Sequence, residues 1–203
     1  MKRKTIFYLV FFSVLVVGFY FLMAKLIPGF GEKHFPAIGT VQPFAFHNQD
    51  GKLITEKDVE GKVFVSEYFF TTCKSICPRM NSEMKRVHNK FKDEKNFLIL
   101  SHTCDPETDS VARLKTYIDS MGFEGDNWLF LTGRKDSLYE MARFSYKIDD
   151  PNNNLQDIKD QFIHSQLFAL VDKEGNVRKI YDGLKKAEVD DMMKEIEILL
   201  KDK

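Results

Sequence analysis

Net charge is the first thing this sequence lacks. Thirty Lys+Arg balance thirty Asp+Glu in 203 residues. A nucleic-acid binder driven by excess basicity is therefore excluded. Cysteine is scarce as well, with three in the chain, too few for a disulfide-stapled scaffold. Internal repeats and low-complexity tracts are missing. What is plentiful is apolar and aromatic residues, at 43% and 13%. That content excludes a disordered acidic chain and points to one globular domain of ordinary size behind an unusual N-terminus.

Lys2, Arg3 and Lys4 precede an uncharged run of 20 residues from Thr5 to Ala24, closed by Lys25. About 20 apolar residues span a bilayer. A cleaved signal peptide has a shorter apolar region and a small-residue cleavage site, neither of which is found here. Residues 1–27 are expected to be a single-pass membrane anchor, with the three basic residues on the cytoplasmic side and the rest extracytoplasmic (periplasmic). Residues 28–203 then carry 26 basic and 30 acidic side chains, a mildly acidic balance. Pro28, Gly29, Gly31, Pro36 and Gly39 mark residues 28–40 as a linker, leaving 41–203 as the folded domain.

Within that domain, Phe44 to His47 and Lys52 to Ile54 flank Asp50-Gly51, a hairpin signal. VFVSEYFF, residues 63–70, reads as a buried strand. Met80, Met84, Val87 and Phe91 recur at helical spacing behind Pro78, which suits a first helical turn. Residues 97–102 form the next strand, and Leu114, Tyr117, Ile118 and Met121 mark a second helix. Trp128 to Leu131 is a short strand. Leu138, Met141, Ala142 and Ser145 predict a third helix, and residues 149–160 a polar loop. Two strands around residues 173–176 and an amphipathic helix from Val189 to Leu200 close the chain. Strands separated by helices pair in parallel, and the terminal hairpin adds antiparallel strands. The expected class is α/β: a thioredoxin-like mixed sheet flanked by helices, preceded by a transmembrane helix.

Chemistry concentrates in TTCKSICP, residues 71–78, where Cys73 and Cys77 stand at a strand-to-helix turn. The free N–H groups and dipole of a helix start favour an anion and so a thiolate. Lys74 and Arg79 add positive charge. A structural disulfide over so few residues constrains the unfolded chain little. A redox dithiol is a second reading. A soft-metal site is the third and the preferred one: two thiolates leave tetrahedral zinc or iron–sulfur sites unfilled but suit copper, with a nitrogen donor added. Among five histidines, His34 and His47 are incidental, and His88 is expected at a surface or boundary. His102, at a strand's carboxyl end, and His164, before the closing hairpin, both remain open on residue chemistry alone. Met80 and Met84 are expected in the core. Cys104 is expected to be a small buried hydrophobe, with exchange into the Cys73–Cys77 pair as the sharper alternative.

The chain resembles the Sco/SenC family of copper-binding thioredoxin-like proteins. The matching pieces are Asp50-Gly51-Lys52, Gly61-Lys62-Val63, Phe69-Phe70-Thr71-Thr72-Cys73 and Ile76-Cys77-Pro78-Arg79-Met80. They continue with Asp105-Pro106-Glu107 and Asp109, residues 128–133 (WLFLTG), His164-Ser165, Val171-Asp172 with Gly175, and Tyr181-Asp182-Gly183. The resemblance implies that Cys73, Cys77 and His164 hold copper, as Cu(I) or Cu(II), and that Cys73 and Cys77 form a redox-active disulfide. It implies delivery of copper to the binuclear copper centre of cytochrome c oxidase subunit II, or maintenance of that centre's thiols, with a thiol reductant as a further partner. The protein is then a metallochaperone rather than an enzyme. The rivals are a periplasmic thiol–disulfide oxidoreductase and a peroxidase, the latter poorly served by Thr72 and Arg79. Three positions depart from the family pattern: Lys74 where proline is common, Ile163 where an acid is common, and Cys104 where an aliphatic residue is usual.

Overall fold

The computed structural model describes residues 3–26, 36–123, 125–155, 157–163 and 165–202. The chain divides into two compact units, 1–36 and 37–203. The first contains one helix, α1 (Arg3–Leu26), of 24 residues and mean hydropathy 2.5. At 1.5 Å per residue it is about 36 Å long, and its length and composition suffice to cross a bilayer.

The second unit is built on an eight-stranded sheet, β1 (Gly39–Thr40), β2 (Ala45–Asn48), β3 (Leu53–Thr55), β4 (Val63–Phe69), β5 (Phe97–Thr103), β6 (Trp128–Thr132), β7 (Leu167–Val171) and β8 (Asn176–Asp182). Its spatial order is β1-β8-β7-β4-β5-β6-β2-β3. β4, β5 and β6 are parallel neighbours, with Val63 opposite Phe97 and Ile99 opposite Trp128. All other pairings are antiparallel. The helices are α2 (Glu56–Val59), α3 (Cys77–Phe91), α4 (Val111–Met121), α5 (Lys135–Glu140) and α6 (Lys186–Lys201).

The pleat sends alternate residues to opposite faces and so makes two cores. On one face Val63, Val65 and Phe69 of β4 pack under α3, α4 and α6, against Met84, Leu114 and Val189. On the other, Phe64 and Tyr68 meet Val59 of α2, Leu138 and Tyr139 of α5, and Ala142. Every residue of β4 and β5 is buried, as strands covered on both faces must be. Met80 and Met84 are 1% and 0% exposed, so they are core residues, as their spacing predicts.

The elements differ from the sequence reading in three places. Gly39–Thr40, inside the linker by composition, pairs with β8. Helix 138–145 is α-helical only to Glu140, and Met141–Ser145 is a π turn. That wider turn closes with Tyr146 N–H on the Met141 carbonyl at 2.9 Å, and Arg143 reaches Asp149 at 2.7 Å. The polar stretch after 149 contains two short 3-10 turns, Pro151–Leu155 and Ile158–Asp160.

One acid stands in the apolar strand β4. Glu67 is fully buried, its Oε1 accepting from Ser101 Oγ at 2.6 Å, while Trp128 Nε1 donates to the same Ser101 Oγ at 2.8 Å. Among the described residues its Oε2 has no partner. Burial pushes the carboxyl up to about 7, against the lowering effect of the Ser101 bond. Below the ordinary value of 4.5 both folded and unfolded states are protonated, so the group costs no charge desolvation. From there to about 7 the unfolded chain ionises first, and stability falls as pH rises. Glu67→Gln is therefore expected to shrink the loss of unfolding free energy between pH 5 and pH 8 by roughly 2–3 kcal/mol. Urea unfolding followed by the emission of Trp128, the only tryptophan, measures it. An unchanged pH slope would refute the assignment.

Candidate metal centre

β4 ends at Phe69, beside the end of β5. The Phe69 carbonyl accepts both Cys104 N–H, at 2.9 Å, and Cys104 Sγ, at 3.1 Å. The chain then turns outward, with Cys73 N–H on the Phe70 carbonyl at 3.2 Å. α3 starts at Cys77 with Pro78 in its first turn, and its N-cap, Ile76, has no side-chain acceptor. Cys73 Sγ supplies one instead, accepting the Cys77 N–H at 3.4 Å, with Ser75 Oγ at 3.8 Å. A helix start thus offers its unsatisfied donor to sulfur.

The two thiols have opposite character. Burial tends to raise the Cys73 thiol, but hydrogen bonds from Cys77 (its thiol and its N–H) and from Ser75 outweigh it, and the net shift is downward. Cys77 is 2% exposed. Burial, reinforced by its role as donor to Cys73, pushes it up to about 12, against the lowering effect of the Phe70 backbone. Tyr117 on α4 stacks on Phe69 at 5.6 Å and accepts from Asn81 Nδ2 at 2.6 Å. Burial, then the charges of Cys77 and Glu67, push its hydroxyl up to about 12. Glu67 points to the same face of the sheet as Phe69, so an acid, a phenol and two thiols lie under the start of α3.

The structure describes one of the two histidine alternatives. His102 is fully buried on the opposite face, among Phe46, Tyr68 and Tyr146 at ring distances of 5.5, 5.1 and 5.3 Å. Burial pushes it down to about 3, and among the described residues both its nitrogens lack partners. The pleat turns it away from Cys77, so it cannot join the two cysteines. His47 is exposed on β2. His88, expected near the surface, is 1% exposed and packs on Phe123 and Trp128. His34 and His164 lie outside the described residues. Among the described residues no group of three or more His, Cys, Asp and Glu side chains converges on one point. Phe162 meets Phe70 edge-on at 5.0 Å. Lys74 and Arg79 are exposed beside the pair.

Three groups here escaped the sequence reading. Glu67 had a signal, a lone acid in an otherwise apolar strand. Tyr117 and Asn81 had none, because helical spacing marks a core face without saying what it covers. Cys104 is 1% exposed, with its thiol pushed up by burial and then by the charge of Cys77. It is a buried thiol donating to a carbonyl, as expected of a small core residue.

All three cysteines are thiols. Brief iodoacetamide treatment is expected to label Cys73 at least about tenfold faster than Cys77, with Cys104 protected until unfolding. Peptide mass mapping reads the order, and Cys77 or Cys104 labelling first would contradict this assignment.

The SCO1/SenC family profile matches residues 33–201. The SCO1 protein homolog of Bacillus subtilis is 35% identical over 157 residues, covering 77% of this chain and 80% of that protein. Among solved structures, BsSco, described as having a disulfide switch and as a member of the Sco family of cytochrome c oxidase assembly proteins, superposes with a TM-score of 0.70. It is 32% identical, over 85% of this chain and 100% of that one. Arabidopsis thaliana ScoI, solved with copper bound, superposes with a TM-score of 0.62 at 27% identity, over 80% and 99% of the two chains. The fold is thus the thioredoxin-like fold of Sco proteins, and with the profile spanning most of its length this chain belongs to the SCO1/SenC family.

Proposed function

We propose that this protein is a membrane-anchored copper carrier serving the assembly of cytochrome c oxidase. Cys73, Cys77 and His164 hold one copper ion, Cu(I) or Cu(II), as cargo for the copper site of subunit II. The observation that carries this reading is the pair of unequal thiols at a helix start, one already leaning toward thiolate. Soft cations select such sulfurs, and an imidazole completes a site for either copper oxidation state. Arabidopsis ScoI with copper bound and BsSco's place among oxidase assembly proteins support the cargo and the destination. The contact of Phe162 with Phe70 supports His164 as third donor, since it joins the segment two residues before that histidine to the strand end leading to Cys73.

Loading two thiolates onto copper releases two protons, and Cys77 yields its proton only against burial. Affinity therefore rises with pH. Oxidation of the pair to a disulfide transfers two electrons to an external disulfide or other oxidant, releases two protons and removes both sulfur donors. A thiol reductant reverses it, so the thiol state gates loading. α1 anchors the chain, with Lys2, Arg3 and Lys4 cytoplasmic and the folded unit on the extracytoplasmic (periplasmic) side. A second reading, a thiol–disulfide oxidoreductase, is favoured by the same asymmetry: an accessible activated sulfur with a buried partner.

Copper titration of the reduced full chain in detergent separates the two. One equivalent is expected to bind, Cys73→Ser or Cys77→Ser to abolish binding, and His164→Ala to weaken Cu(II) binding at least about tenfold. An oxidoreductase keeps its thiol exchange in His164→Ala. Absence of stoichiometric copper in the reduced protein would end the carrier reading. For the anchor, alkaline carbonate is expected to leave the full chain in the membrane and to release a chain lacking residues 1–36.

A further inference from the structure

One buried carboxylate beside the site is unused in the carrier reading. Asp109, in the loop between β5 and α4, is 0% exposed. Its Oδ1 accepts from Thr71 Oγ1 at 2.5 Å. Its Oδ2 accepts from Thr71 N–H at 3.1 Å and from Thr103 Oγ1 at 2.6 Å. Arg113, in the first turn of α4, donates from Nε to the same Thr71 Oγ1 at 3.1 Å. The loop is itself pinned, with Asp109 N–H on the Asp105 carbonyl at 2.8 Å and Asp105 N–H on Thr103 Oγ1 at 2.9 Å.

The location of these bonds matters more than their number. Thr71 is the second residue past β4 and the second before Cys73, where the chain leaves the sheet. The strand ladder no longer holds it, and α3 does not yet. Two hydrogen bonds to the Asp109 carboxyl here seize one residue by both its backbone and its side chain. We propose that Asp109 is the positioning residue of the thiol pair: by clamping Thr71 it holds the chain at the strand exit so that Cys73 Sγ stays over the Cys77 N–H. Asp109 need not touch the cargo, since it acts on Cys73 through Thr71.

A merely structural role and a positioning role make different predictions. Thr103 binds the same carboxylate from β5, and among the described residues its side chain bonds only Asp109 and Asp105. Thr103→Val weakens the hold on the carboxylate while leaving both Thr71 bonds in place. Thr71→Val cuts the side-chain bond to Asp109 and the one from Arg113, at a half-buried position that tolerates valine. Asp109→Asn weakens the whole clamp.

The test rests on the thiol pair being the working site and uses the full chain in detergent. The first measurement is the dithiol–disulfide equilibrium against glutathione, and the second is the sulfur-to-Cu(II) charge-transfer absorption. Because the N–H bond to sulfur stabilises the reduced form, Thr71→Val and Asp109→Asn are expected to shift the equilibrium toward the disulfide. The expected shift is on the order of tenfold, about 30 mV, and Thr103→Val is expected to move it less than about threefold. The charge-transfer band should move in the first two variants and not in the third. A shift under about threefold in Thr71→Val, a shift toward the dithiol, or an equal shift in Thr103→Val overturns the proposal. If Asp109→Asn does not fold, the two threonine variants decide alone. If the parent protein binds no copper, the carrier reading fails while the glutathione equilibrium still decides the clamp.

Discussion

The bond from the Cys77 backbone N–H to Cys73 sulfur is the interaction on which the site depends. It exists because α3 begins without a side-chain cap, so one of the first-turn N–H donors that a helix leaves without an internal partner is offered to a sulfur four residues earlier in the chain. It favours the anion on the more accessible Cys73, while burial disfavours the anion on Cys77. That inequality suits both soft-metal capture and thiol exchange.

Holding that geometry requires the chain to be fixed on both sides of the turn. Downstream, Met80 and Met84 anchor α3 in the core. Upstream, the Phe69 carbonyl takes two hydrogen bonds from Cys104, and Thr71 is clamped by Asp109. The turn between them is polar and exposed at Lys74 and Ser75, where a partner can approach. Beneath it, Glu67, Ser101 and Trp128 form a buried polar chain in a place where apolar packing would be more stable. Cys77, on the same face, is made hard to ionise chiefly by burial, with a smaller effect of the Glu67 charge.

Membership of the SCO1/SenC family and the geometry bear on different questions. The family tells which cargo and which assembly to consider. The geometry tells which side chains lie together and which of the two thiols burial disfavours as an anion. The outcome for His102 shows the difference: its strand-end position made it a plausible donor, yet its ring lies in an aromatic cage on the wrong face.

Much of this was legible in the linear chain. Local rules governed the apolar N-terminal run, the Asp50-Gly51 turn (with Gly51 at φ +76°), the buried strand 63–69 and the cysteines at a helix start marked by Pro78. For each, neighbours in sequence are the cause, through turn geometry, periodicity or the missing proline donor. Other features arise from residues far apart in sequence and were decided only by packing. The parity of the β4–β5 pairing sends Glu67 and Ser101 to the cysteine face and His102 to the other, and no local pattern encodes the neighbours of either face. The burial of His88, the π turn that lets Arg143 reach Asp149, and the grip of Asp109 on Thr71 across 38 residues are of the same kind. Composition and spacing determined which chemistry the chain could hold; the register of the sheet determined which groups share it, because a one-residue change of register exchanges one face for the other.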